Sequence, residues 1–213
     1  MPATLSSMQT RVARILMDAA NLSWSTDDLS EAIRRAMSVY ALACPLKKVT
    51  TLTLTSTSRE IDIASLSDLI TVDEVWLPYD STSPEKPRVQ SFRFWKDLNM
   101  LYITSYLPQA GDVVRIFYSA EHSLDGLDGA SGTTFPDRHA SIIATGAAGF
   151  CAHSRALDLT EQVAVDREAA ERLMTWARRT LLDFEDQLKR IATTHHSPFV
   201  EIPVLDRFDG AWA

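Results

Sequence analysis

Between Val49 and Ser119 large and β-branched residues recur one in two, whereas on either side of that stretch they recur every three or four positions. One element cannot satisfy both periods, because side chains alternate across a strand but return to a helical face only after three or four residues. The sequence therefore predicts an α+β fold, a helical bundle with an inserted antiparallel β module and an extended C-terminal arm. The period changes place the bundle at 1–45 and 138–194, the β module at 46–121, a Gly-rich loop at 122–137 and the arm at 195–213.

Within the β module the alternating segments begin at Val49 and Glu60 and continue at Thr71–Leu77, Val89–Trp95, Met100–Ser105 and Val113–Ser119. Turn formers separate them, among them Pro84, Pro87, Asp97, Asn99, Pro108 and Gly111. No helical period intervenes, so the strands are expected to form an antiparallel meander or small sandwich rather than a parallel sheet.

The first helix is read from Leu5, Met8, Val12, Ile15 and Leu16, with Ser6 or Ser7 as its cap. Ser25 and Asp28 mark the start of a second, carrying Leu29, Ile33, Ala36, Met37 and Tyr40 and stopping before Pro45. The two make a hairpin around Trp24. Residues 122–137 hold Gly126, Gly129 and Gly132 among Ser, Thr and Asp, and are expected to be mobile. A third helix runs from Arg138 to about Leu157. Its interior Gly146 and Gly149 each cost about 1 kcal/mol relative to Ala, so a neighbouring helix should pack against that backbone.

A last helix is expected over Thr160–Thr193, roughly 50 Å at about 1.5 Å per residue. Val163, Ala170, Met174, Ala177, Leu181, Phe184, Leu188 and Ile191 follow a seven-residue spacing, interrupted where Arg167 takes an apolar slot. Two covers are open for this stripe: helix three with the N-terminal hairpin, or a second subunit packing on Met174, Ala177, Leu181, Phe184, Leu188 and Ile191. The segment after Pro198 carries Phe199, Val200, Ile202, Val204, Leu205, Phe208 and Trp212, too short to form a core alone. Pro203 disfavours a central strand but is tolerated by an arm laid along a sheet edge or groove. It is therefore read as a partner-docking arm.

Lys plus Arg number 21 against 28 Asp plus Glu, a net charge of -7, which argues against a general grip on phosphate backbones. No window reaches the roughly 18 uninterrupted apolar residues of a spanning helix. Cys44 and Cys151 lack any Cys-x-x-Cys spacing and are read as buried thiols of a reducing compartment, although sequence leaves one bridge open. Arg11, Arg14 and Asp18 interrupt what would be an export signal, so synthesis in the cytoplasm is expected and the sequon at Asn21 is read as accidental.

The Gly146 to Gly149 segment has no lysine and lies in a helical pattern, unlike a phosphate loop. Ser131 lacks the flanking glycines of a nucleophile elbow. His139 and His153 stand about 21 Å apart along one helix, and Cys151 and His153 fall on different helical faces. His195 and His196 suit a helix end. Glu60, Asp62, Asp73 and Glu74 are read as outward polar positions, and Trp24, Trp76, Trp95, Trp176 and Trp212 as core anchors. A small metal-dependent hydrolase around Asp125, Asp128 and His139 is kept as a rival. No catalytic, cofactor or metal residue is assigned, and the chain is not expected to be an enzyme.

The order of several segments resembles the head-to-tail adaptor (connector) proteins of tailed bacteriophages and gene transfer agents. The resemblance covers roughly residues 5–157. Trp24 to Leu29 precedes Ala32 to Ala36; Thr51 to Leu54 and Asp62-Ile63 lead to Val72 to Trp76. Pro108 to Asp112 precedes Val113 to Tyr118, and Phe135 to His139 opens the small-residue helix. The resemblance implies a structural virion protein without catalytic residues or cofactors. In that family several copies, typically twelve, form a ring between portal and tail at the particle's neck. It further implies partners: a homo-oligomer, a portal protein, a tail or tail-completion protein, and DNA passing through the channel without specific binding, with no membrane. Another neck or tail-completion protein, or a cytoplasmic scaffold, is the alternative. The arm matches no motif of the family, and its portal-binding role rests on composition.

Overall fold

The structure is a computed structural model describing residues 2–20, 22–82, 88–161 and 167–194. The described elements run α1 (Leu5–Ile15), α2 (Thr26–Ala43), β1 (Leu46–Thr53), β2 (Glu60–Asp62), β3 (Leu69–Trp76), β4 (Phe92–Trp95), β5 (Met100–Ile103), β6 (Val113–Ala120), α3 (Ala140–Glu161) and α4 (Arg167–Thr194). The α+β mix expected from the change of period is present.

Both N-terminal helices start at capping boxes. In α2 the Asp28 N–H donates to Ser25 Oγ at 3.1 Å and the Ser25 N–H to Asp28 Oδ2 at 2.9 Å, so side chains satisfy donors that the helix cannot. In α1 the cap is Thr4 rather than Ser6 or Ser7: Ser7 is the third helical residue and answers the Thr4 N–H at 2.9 Å. Between the helices the Asp18 carboxylate accepts from the N–H groups of Leu22, Ser23 and Trp24. Burial alone would raise its pKa, but these three donors carry it below the usual carboxylate value.

The strands form two antiparallel three-stranded sheets, β1-β6-β3 and β2-β5-β4. A simple meander is excluded, because β6, last in sequence, sits between β1 and β3. Leu46 opposite Ala120 and Thr53 opposite Val113 bound an unbroken β1–β6 register, while β3–β6 shifts between Leu69 and Thr71 and again between Val72 and Glu74. Ile61, Leu101 and Ile103 from one sheet and Val72, Val75, Val114, Ile116 and Tyr118 from the other form a single hydrophobic cluster. Alternate residues of both sheets thus bury one shared core.

A second cluster holds the helices together through Met8, Val12, Leu29, Ile33, Tyr40, Ile143, Phe184 and Leu188. Helix α3 extends to Glu161, beyond the expected Leu157, and α4 begins at Arg167. At 28 residues α4 is about 42 Å long at roughly 1.5 Å per residue, shorter than the sequence suggested, and Val163 lies outside the described residues. The helices are antiparallel: a Cβ on Gly146 would meet the Phe184 ring at 2.8 Å and one on Gly149 would meet Leu181 at 2.9 Å. Both glycines are therefore close-approach positions.

The Gly-rich loop is tied down, contrary to the expected mobility. Its Leu124, Leu127 and Phe135 are buried in the helical core. The Leu5 N–H donates to the Asp125 carbonyl at 2.8 Å, and Thr133 hydrogen bonds to the Ala3 carbonyl. Gly126 and Gly129 adopt φ values of +84° and +79°, a region where a side chain would be strained. Glycine here makes a tight plug rather than a floppy connector.

Candidate interaction surface

The expected site residues fall into three groups. Ala177, Phe184 and Leu188 are buried, and Phe184 and Leu188 belong to the helical core of their own chain. Another copy can therefore touch only what stands beside them: half-buried Met174, Leu181 and Ile191, and exposed Trp176 and Leu182. The arm residues Phe199, Val200, Ile202, Val204, Leu205, Phe208 and Trp212 lie outside the described residues, as do His195 and His196.

Of the rival hydrolase residues, Asp128 and His139 have structural side-chain partners. Arg34 grips Asp128 through Nε at 3.0 Å and Nη2 at 2.7 Å, and that bonded guanidinium holds the carboxyl below its usual value. His139 is buried, its Nδ1 at 2.6 Å from the Tyr40 hydroxyl. Among the described residues no group of three His, Cys, Asp or Glu side chains stands where it could hold a metal ion.

Where α2 meets α3 an open groove of about 200 Å³ is lined by Trp24, Asp28, Glu31, Arg35, Phe150 and Arg155. Arg35 lies over the Phe150 ring at 4.4 Å, and the Trp24 indole N–H donates to the Cys151 carbonyl at 3.3 Å. Burial pushes the Cys151 thiol up to about 12, so the thiolate that nucleophilic chemistry needs is scarce at neutral pH. Cys44 and Cys151 are both buried free thiols.

His122 packs on the helical core, its ring 5.1 Å from that of Tyr40 and 6.4 Å from that of Phe135. Its Nε2 lies 2.9 Å from the Cys44 carbonyl, which can only accept, so Nε2 carries the proton. Nδ1 then accepts from the Thr134 hydroxyl at 3.0 Å, whose oxygen takes the Ser123 N–H at 2.9 Å. Burial lowers the His122 pKa and keeps the ring neutral.

On the outer face of the first sheet Arg115 stands over three rings, at 4.8 Å from Tyr79, 5.4 Å from Phe117 and 5.7 Å from Trp76. Arg115 also hydrogen bonds to the Tyr79 hydroxyl, and Trp76 Nε1 donates to Glu74 at 2.7 Å. Sequence reasoning missed this cluster; its signal was the aromatic and cationic character of the outward phase of β6. The core-anchor reading of the tryptophans holds for Trp24, half-buried against the helical core, but not for half-buried Trp76 or exposed Trp95 and Trp176, while Trp212 lies outside the described residues.

The sheet edges differ. Strand β3 is bulged, and its outer side bonds to the chain at 88–90, with Gln90 N–H donating to the Val75 carbonyl at 2.9 Å. Strands β2 and β4 span only 3 and 4 residues. Strand β1 is 8 residues long and runs in unbroken register with β6. The Leu54 N–H donates to Asp112 at 2.8 Å, so the same phase, Leu46, Lys48, Thr50 and Leu52, bonds to β6. Lys47, Val49, Thr51 and Thr53 consequently turn their N–H and C=O groups to the free edge, where no described residue meets them. Edges of this length are normally shortened, bulged or covered.

No family model and no curated protein matches this sequence. Solved structures that it is similar to include a chain in the neck of a native GTA particle computed with C12 symmetry, 16% identical at a TM-score of 0.31, covering 83% of this chain and 91% of that one. A chain in the neck of an empty GTA particle computed with C6 symmetry is 15% identical at a TM-score of 0.28, covering 59% of this chain and 67% of that one.

Proposed function

We propose that this chain is a head-to-tail adaptor subunit, several copies of which form a ring between portal and tail around the DNA channel. The observation that carries the reading is architectural. The segments that carry the adaptor resemblance fold into one helical core and, between Cys44 and Glu121, one β module with a core of its own. Such a body presents separate helical and β surfaces to different neighbours. Its work is assembly: the helical part contacts neighbouring copies and the portal, the arm at 195–213 anchors it, and the net charge of -7 leaves DNA free to slide.

Imaging of the protein mixed with its portal, and of complete particles, tests the reading. A ring of density between portal and tail is expected. Density confined to the far side of the neck would make it a tail-completion protein, and consistent absence from the neck would overturn the proposal.

A further inference from the structure

We propose that the free edge of β1 receives residues 199–205 of a second copy as an added antiparallel strand. The proposal rests on the assembly reading above and names the surface through which one subunit holds the next.

The edge comes first. Four residues, Lys47, Val49, Thr51 and Thr53, offer backbone donors and acceptors in an unbroken row, and the Val49 side chain among them is 49% exposed. No proline or bulge blunts the row, and its charged side chains are confined to Lys47 and Lys48. A row like this is a template for main-chain pairing.

The occupant is argued from the chain that continues beyond α4. Residues 199–205 read Phe-Val-Glu-Ile-Pro-Val-Leu, a strand-length segment of β-branched and large apolar residues. Pro203 has no N–H, so it must face away from β1, which makes Val200, Ile202 and Val204 the bonding residues. An antiparallel register with Ile202 opposite Val49 then sets Val204 against Lys47 and Val200 against Thr51. On the other face of the ribbon Phe199 meets Leu52 and Leu205 meets Leu46, both half-buried and able to gain cover. Glu201 falls opposite Thr50, diagonal to Lys48. One register thus satisfies the proline, the apolar pairs and the charge.

The donor is a neighbouring copy on the assembly reading above, and the double variant below separates it from the same chain. From Thr194 to Phe199 the chain spans at most about 17 Å, at ~3.3–3.6 Å per residue. The end of α4 packs through Ile191 on the helical core, whereas Leu52, which Phe199 must meet, packs on the β core. Passing the arm from each copy to the β1 edge of the next is a heterologous contact, the kind that closes into a ring.

The experiment mixes two full-length single variants, Val49→Cys and Ile202→Cys. Facing residues of an antiparallel pair lie about 5.5 Å apart at Cα, within disulfide reach, and the native thiols of Cys44 and Cys151 are buried. Oxidation of the mixture should yield a disulfide-linked heterodimer, and Thr51→Pro, which removes only an outward N–H, should weaken self-association about tenfold or more while circular dichroism stays unchanged. Cross-linking confined to single chains of a Val49→Cys/Ile202→Cys double variant would place the arm on its own body and overturn the exchange. Rings that form normally in Thr51→Pro and do not cross-link in the mixture would also overturn it while leaving the adaptor reading intact; absence from the neck would strike the adaptor reading alone.

Discussion

A Cβ added to Gly146 would lie 2.8 Å from the Phe184 ring, closer than real side chains approach. Phe184 is 1% exposed and forms an edge contact with Phe150 at 6.5 Å, so it has little room to give. Gly146→Ala should therefore destabilise the fold, overpacking at about 1–3 kcal/mol outweighing the gain of about 1 kcal/mol in helix propensity. Urea unfolding measures the loss, and adding Phe184→Leu should recover part of it; a stabilised Gly146→Ala would show that α3 and α4 are not so close.

The bonded pair of Asp128 and Arg34 predicts part of the acid limb. The folded pKa of Asp128 is depressed, so its contribution is present above the unfolded value of about 3.9 and is lost as pH falls through the lower folded value. Both partners are well exposed, at 60% and 42% of their side chains, so Asp128→Asn should cost no more than about 1 kcal/mol at neutral pH. Its signature is a flatter stability profile below about pH 4, read by thermal unfolding across a pH series.

His122 has the opposite consequence at milder pH. Its folded pKa is lowered by burial, so the unfolded chain binds the proton more readily once pH drops below about 6.5. Stability should fall from there toward the folded pKa and then level off. His122→Gln can still donate to the Cys44 carbonyl and does not titrate; it should flatten the curve between about pH 7 and 5. An unchanged slope in the variant would assign the effect elsewhere.

Arg115 ties the outward aromatic residues of the first sheet together. Arg115→Ala should cost about 1–2 kcal/mol through lost cation–π contact and lost packing. Arg115→Met keeps the stem and removes the buried Nε that lacks a hydrogen-bond partner, so its loss should stay below about 1 kcal/mol. Equal losses in the two variants, measured by urea unfolding, would mean that the charge rather than the stem matters.

Local signals carried much of the fold. The Ser25 and Asp28 box, the proline after α2 and the paired glycines of α3 each act within a few residues and are realised where sequence placed them, and the two-residue period read from Val49 is realised in a strand that begins three residues earlier, at Leu46. What escaped depends on long-range pairing. Nothing near Val113 says that β6 will slip between β1 and β3, and nothing near Gly126 says that Leu124, Leu127 and Phe135 will plug the helical core. The free edge of β1 was invisible for the same reason, since a strand becomes an edge only through the choice of its partners. The stripe on α4 was legible as a pattern but not as an address: the spacing of Ala177, Phe184 and Leu188 is the same whichever partner covers it.

Every described core residue lies at or before Ile191, so removal of 198–213 should leave both cores intact. The shortened protein is expected to unfold at nearly the same temperature and denaturant midpoint as the full chain. Attachment to the portal should nevertheless be lost, because the segment removed carries Phe199, Val200, Ile202, Val204, Leu205, Phe208 and Trp212, and each large side chain buried at a partner contributes about 1.5–3 kcal/mol. Co-sedimentation with portal reads the attachment, and native mass spectrometry reads the size of the free assembly. Loss of both places the arm between neighbouring copies, with portal binding failing because the ring fails; loss of portal binding by an intact ring places it on the portal. Portal binding equal to that of the full chain would remove the arm from the assembly altogether.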